Sequence, residues 1–139
     1  FLGVSEEGIA SAVSTSGNPD CHVILRGGEN GPNYHQDSVQ SALTHIERSG
    51  FHPSLMIDAS HANCGKDHQK MPAVFEDIVR QRAEGNTGIA GAMLESNLVA
   101  GNQSFPRPLA DLTYGQSITD SCIDWATTER LLRSAANAL

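Results

Sequence analysis

Three apolar runs of strand length alternate with segments of helical periodicity, and this alternation limits what the chain can become. His22-Val23-Ile24-Leu25-Arg26 is stopped by Gly27-Gly28. Downstream, Val39, Ala42, Leu43 and Ile46 recur at i, i+3, i+4, i+7, with Asp37 the expected N-cap and Gly50 the stop. After Pro53 comes a second strand through Ile57, and then Met71, Val74, Phe75 and Ile78 at the same spacing. Pro72 is acceptable there only in the first turn, and Gly85 closes the helix. Ile89 to Leu94 forms the third strand, Ser96 to Gln116 reads as a long loop, and a last helix starts near Asp124 with Leu131, Leu132 and Ala135 on its buried side. Strands alternating with amphipathic helices predict an α/β fold with a parallel sheet covered by helices. Three strands cannot close a barrel, so the expectation is either an open sandwich or the last part of a larger barrel.

Ahead of this unit, Phe1 to Val4 and Ile9 to Val13 flank Ser5-Glu6-Glu7-Gly8, which predicts a β-hairpin with a short loop; residues 14–20 read as a loop. At 139 residues the chain is at most one domain, and its net charge of −7 supplies no basic surplus for nucleic acid or an anionic membrane. The apolar runs are far too short to span a bilayer, and the first residues do not read as a signal peptide. Phe1 in place of an initiator Met leads us to expect a cut or trimmed chain. Three widely spaced cysteines, Cys21, Cys64 and Cys122, fit reduced thiols in a cytoplasmic protein better than a disulfide framework.

The chemistry concentrates where strands end. Leu55-Met56-Ile57-Asp58-Ala59-Ser60-His61 runs from an apolar strand into a histidine; Ile89 to Leu94 runs into Glu95; and Ser117-Ile118-Thr119 leads to Asp120. Open α/β sheets and barrels present their reactive groups at such strand ends. One imidazole and two carboxylates suit Mn²⁺, Fe²⁺, Co²⁺ or Zn²⁺. By pattern alone a histidine after a strand is more often a hydrogen-bonded loop residue than a ligand. Arg26 beside Gly27-Gly28 suits capture of a carboxylate or phosphate, or else is a salt-bridged arginine next to a turn. Cys64 lies three residues beyond His61 and reads as a spectator thiol. A Ser60-His61-Asp58 hydrolase triad is discarded, because adjacent Ser and His cannot readily hydrogen-bond each other and no G-x-S-x-G elbow is present.

Several longer motifs occur together in order: Gly17-Asn18, Cys21 to Gly28, Pro32-Asn33-Tyr34, Met56-Ile57-Asp58 with Ser60-His61-Ala62-Asn63, Glu95-Ser96 with Gly101-Asn102-Gln103, and Tyr114-Gly115 with Ser117 to Asp120. Together they closely resemble the carboxyl-terminal portion of class I (type Iα) 3-deoxy-7-phosphoheptulonate synthase, across essentially the whole chain. The resemblance implies a (β/α)₈ barrel of which residues 1–139 are the C-terminal portion, supplying about strands six to eight. It also implies the first step of the shikimate pathway, condensation of phosphoenolpyruvate with erythrose 4-phosphate. His61, Glu95 and Asp120 correspond to three ligands of a divalent metal, whose fourth, a cysteine, belongs to the amino-terminal half. The metal's implied task is to polarise the aldehyde or position a water. Arg26 and His61 correspond to contacts of phosphoenolpyruvate, and Asp120 to one of the aldose phosphate. Residues 1–14 resemble a regulatory hairpin, with Phe1, Gly3 and Val13 lining an aromatic amino-acid pocket. Gly3, where some relatives carry Ser, favours tyrosine as the effector. A homo-oligomer is inherited from the family. The expected partners are thus the two substrates, the effector and the rest of the barrel, and the chain alone is expected to be inactive. Two other readings stand beside this one: a sister enzyme using arabinose 5-phosphate, and a non-catalytic half-barrel that binds metal or effector.

Overall fold

A computed structural model describes residues 1–18 and 20–139. Pro19, inside the expected 14–20 loop, lies outside the described residues. The hairpin forms as expected: β1 (Leu2–Val4) pairs antiparallel with β2 (Ala10–Ala12). Its loop is closed by Ser5 N–H donating to Ile9 O and Gly8 N–H donating to Ser5 O, both at 2.9 Å.

The central sheet is parallel, in the order β3 (Val23–Leu25), β4 (Leu55–Asp58), β5 (Ile89–Met93). Helix α1 (Gln36–Arg48) connects the first two strands and α2 (Met71–Ala83) the second pair. The register explains the burial. Leu25, Ile57 and Ala92 are aligned across the sheet, and Ile57 is fully buried in a core with Leu55, Val39, Leu43, Met71, Val74, Phe75, Ile78 and Ile89. Ile24, Met56 and Gly91 align on the opposite face, where Ile24 remains 38 % exposed. Strands of a parallel sheet are ordinarily buried on both faces. Here one face carries the core, and the other is only partly covered, with Met56 and Gly91 half-buried and Asp58 fully buried at its carboxyl end.

Three expectations need correction. The N-cap of α1 is His35, in extended backbone, not Asp37; Asp37 lies inside the first turn, where its negative charge faces the positive end of the helix dipole. The expected loop from Ser96 to Gln116 contains a strand, β6 (Val99–Asn102), which pairs in parallel with β7 (Gln116–Ser117). The third strand is therefore not followed directly by its helix. The last helix, α3 (Trp125–Ala138), begins as expected on Asp124, whose carboxylate accepts from Thr127 N–H. It packs on α2 and buries Leu131 fully, but Leu132 points outward and is half exposed. No helix among the described residues is long and apolar enough to cross a membrane.

Candidate functional site

The carboxyl ends of the strands converge. His61 opens a single 3₁₀ turn (His61–Cys64) three residues beyond β4, Glu95 lies two beyond β5, and Asp120 three beyond β7. One donor atom from each of His61, Glu95 and Asp120 lies within 4.8 Å of the others. His61 Nε2 is 3.4 Å from Glu95 Oε1 and 3.7 Å from Asp120 Oδ2. All three residues singled out in the sequence meet.

Each is held by its own local structure. His61 has φ +50°, a left-handed conformation that non-glycine residues seldom adopt and that is held here by the turn around it. Lys66 N–H donates to its carbonyl at 2.7 Å. Its ring is fixed from behind, where Nδ1 lies 2.6 Å from Asp58 Oδ2. Glu95 is placed by the N–H it donates to the buried Ser60 hydroxyl at 2.9 Å, and by its carbonyl, which accepts from Ile123 N–H at 3.0 Å. The second bond draws the segment carrying Asp120 across the end of β5. Gly101 and Cys122 exchange two backbone hydrogen bonds, and Asn102 Nδ2 donates to Thr119 O, so β6 works as a clamp on that segment.

Arg26 lies on the same sheet side as Ile24, one residue past β3, and its Nε is 3.9 Å from Asp58 Oδ2. Its side chain is 58 % exposed, so the guanidinium remains presented next to the cluster. The two neighbouring glycines differ in their surroundings. Gly27 does admit a close approach, but by the chain itself: at φ +76°, a Cβ there would stand 2.7 Å from Ala62 Cβ and 2.8 Å from Ala62 C. Gly28 is open.

Asp58 and two asparagines form the frame that sequence reasoning missed. Asn63 Nδ2 donates to Asp58 O and Leu25 O, tying β3 to β4; Asn63 Oδ1 accepts from Asn33 N–H; and Asn33 Oδ1 accepts from Gly27 N–H. The signal available was an Asp three residues before the His, at a strand end. Cys64 is buried with its thiol toward His61 O, and burial pushes that thiol up. Cys21 and Cys122 are likewise free. His68, not singled out earlier, pairs with Ser121 Oγ at 2.7 Å.

Electrostatically the cluster is short of positive charge. Desolvation by burial, and next the negative charges of Asp120 and Asp58, push the Glu95 carboxyl above its ordinary range; His61 and Arg26 act in the opposite direction. Three electron-pair donors facing one another beside a buried carboxylate call for a cation. One nitrogen and two oxygens, with the imidazole's other nitrogen tied to a carboxylate, is a donor set that could hold a divalent metal ion.

At the hairpin, Phe1, Gly3 and Val13 also come together. Phe1 and Val13 are joined by backbone hydrogen bonds in both directions. A Cβ on Gly3 would stand 2.8 Å from Val13 Cγ2 and 3.4 Å from Phe1 Cε2.

A mixed donor set at the carboxyl ends of parallel strands is the arrangement of metal-assisted α/β enzymes. The DAHP synthetase I family matches residues 2–133, and the chain belongs to that family. It is 47 % identical over 133 residues to the Tyr-sensitive phospho-2-dehydro-3-deoxyheptonate aldolase of Escherichia coli, covering 96 % of this chain and 37 % of that protein. To the Phe-sensitive enzyme of the same organism it is also 47 % identical, over 141 residues, covering 100 % of this chain and 39 % of that protein. The structure of phospho-2-dehydro-3-deoxyheptonate aldolase from Francisella tularensis matches with a TM-score of 0.85 at 42 % identity, over 99 % of this chain and 40 % of that one. The chain thus spans about two fifths of the length of these relatives.

Proposed function

We propose that this chain supplies one wall of the active site of a 3-deoxy-7-phosphoheptulonate synthase, which joins phosphoenolpyruvate to erythrose 4-phosphate and releases phosphate. The observation that carries the reading is the meeting of His61, Glu95 and Asp120 within 4.8 Å, beside an exposed Arg26. In this reading β3, β4 and β5 are the sixth to eighth strands of a (β/α)₈ barrel. The partial exposure of Ile24 supports it, because a barrel interior would bury that side chain. The fourth metal ligand and most phosphate contacts then come from outside these residues. The whole protein is cytoplasmic and homo-oligomeric in the same reading.

His61, Glu95 and Asp120 would hold the divalent ion. Bound there, the ion supplies a Lewis acid for the aldehyde carbonyl. Arg26 binds the anionic end of phosphoenolpyruvate, and a planar fork fixes its orientation as well as its charge. With Arg26 and His61 on one side and Asp120 on the other, the enol carbon and the aldehyde carbon are presented to each other. Carbon–carbon bond formation, addition of water to the enol's other carbon and C–O cleavage then release phosphate.

The test uses the full-length protein supplied with Mn²⁺. It should consume phosphoenolpyruvate with erythrose 4-phosphate and not with arabinose 5-phosphate, and His61→Ala should lower kcat by about a thousandfold, several kcal/mol of lost stabilisation. Absence of turnover with erythrose 4-phosphate, or an undiminished His61→Ala variant, would sink the reading.

The hairpin carries the effector in the same proposal. Phe1, Gly3 and Val13 share one surface, and Val13 Cγ2 and Phe1 Cε2 already stand against the Cβ position of residue 3, so a serine there would have to push them aside. Tyrosine should inhibit the full-length enzyme; inhibition by phenylalanine alone would refute this assignment.

A further inference from the structure

The side chain of Asp58 is 1 % exposed, and an ionised carboxylate so buried needs its acceptor capacity filled. It is filled from the site. Oδ1 accepts from Ser60 N–H at 2.8 Å, while Oδ2 meets His61 Nδ1 at 2.6 Å and, more distantly, Arg26 Nε at 3.9 Å. An ionised carboxylate only accepts, so a contact of 2.6 Å requires the proton on Nδ1. Placed on Nε2 instead, the proton would leave two lone pairs opposed at that distance. With Nδ1 donating, the Nε2 lone pair is aimed between Glu95 and Asp120, 3.4 and 3.7 Å away.

Building on the metal-ligand reading of His61, we propose that Asp58 is the positioning residue of this site: it sets the tautomer of His61 so that Nε2 is free to bind the cation. The backbone constrains which substitution tests this. In Asp58→Asn, the amide oxygen keeps the hydrogen bond from Ser60 N–H, which turns the amide nitrogen toward His61 Nδ1. Nδ1 must then accept, and the proton moves to Nε2, where it blocks the ligand position. The change is nearly isosteric and leaves the packing of β4 as it is. A residue that only supports the fold would alter stability without altering where His61 carries its proton.

Two measurements on the full-length protein decide the matter. The first is nitrogen NMR of ¹⁵N-histidine-labelled, metal-free protein at a pH above the imidazole range, with the His61 signal assigned by its loss in His61→Ala. Its proton should be on Nδ1 in the unmodified protein and on Nε2 in Asp58→Asn. The second is an electron paramagnetic resonance titration with Mn²⁺. Asp58→Asn should bind about 10- to 100-fold more weakly, the usual cost of losing such an outer partner. A proton on Nε2 in the unmodified protein overturns the proposal and needs no folded variant. So does Mn²⁺ affinity in Asp58→Asn within twofold of the unmodified protein. If His61→Ala binds Mn²⁺ as tightly as the unmodified protein, the metal-ligand reading itself fails, and the proposal with it.

Discussion

At the scale of single residues, the site depends on two unusual backbone positions that face each other. His61 sits at φ +50° and Gly27 at φ +76°, with the 3₁₀ turn of the first pressed onto the α-carbon of the second. Gly27→Ala would therefore combine a disfavoured conformation with a Cβ driven into Ala62. We expect it to destabilise the full-length protein by about 2 kcal/mol or more, read as a fall in denaturation midpoint. Metal affinity should fall with it, since the turn pushed aside carries His61. A neutral Gly27→Ala would show that the two segments are not packed as described. Gly28, with nothing near its Cβ position, is the natural control.

At the scale of elements, short strands and caps place the chemistry. β6 has only Val99 as a β-branched residue, yet with β7 it holds the Asp120 segment against β5. The last helix is pinned at its start by Asp124. Its carboxyl is held below the usual range chiefly by the side-chain hydrogen bond from Thr127 and then by Thr127 N–H. Folding thus favours the ionised form. The stabilisation is present above the ordinary carboxylate range and is lost as pH falls through the lowered folded value. Asp124→Ala should consequently lower the thermal midpoint near neutral pH, and the gap to the unmodified protein should close in acid. A gap that persists unchanged well below pH 3 would contradict the capping role.

At the scale of the whole molecule, the sheet has one face in the core and one only partly covered, with the candidate site at the carboxyl ends of its strands. His61 and Glu95 follow strands of the central sheet and Asp120 follows β7 of another; with one exposed Arg26 beside them, they are too few groups to bind the two phosphorylated substrates of the proposed reaction. The isolated, mass-verified 139-residue chain should show no turnover of phosphoenolpyruvate with erythrose 4-phosphate, even with excess Mn²⁺; measurable turnover would refute this.

Much was legible in the residues themselves. The i, i+3, i+4, i+7 rows of α1 and α2 bury as read, because a helix's apolar stripe depends only on local geometry. Asp124 was readable as a cap for the same reason; Glu95 was findable because it directly follows the apolar run Ile89 to Leu94, and His61 lies a few residues past another, whereas the short strand before Asp120 has no apolar run to announce it. What only the tertiary structure decided rests on pairing between distant segments. The parallel partnership of β6 with β7, the outward turn of Leu132 and the seat of Gly27 under Ala62 have no local signature. The contact of Asp58 belongs there too: its sequence neighbours made it one more acidic residue, whereas the fold buries it against His61 Nδ1 and so fixes the ring of the histidine.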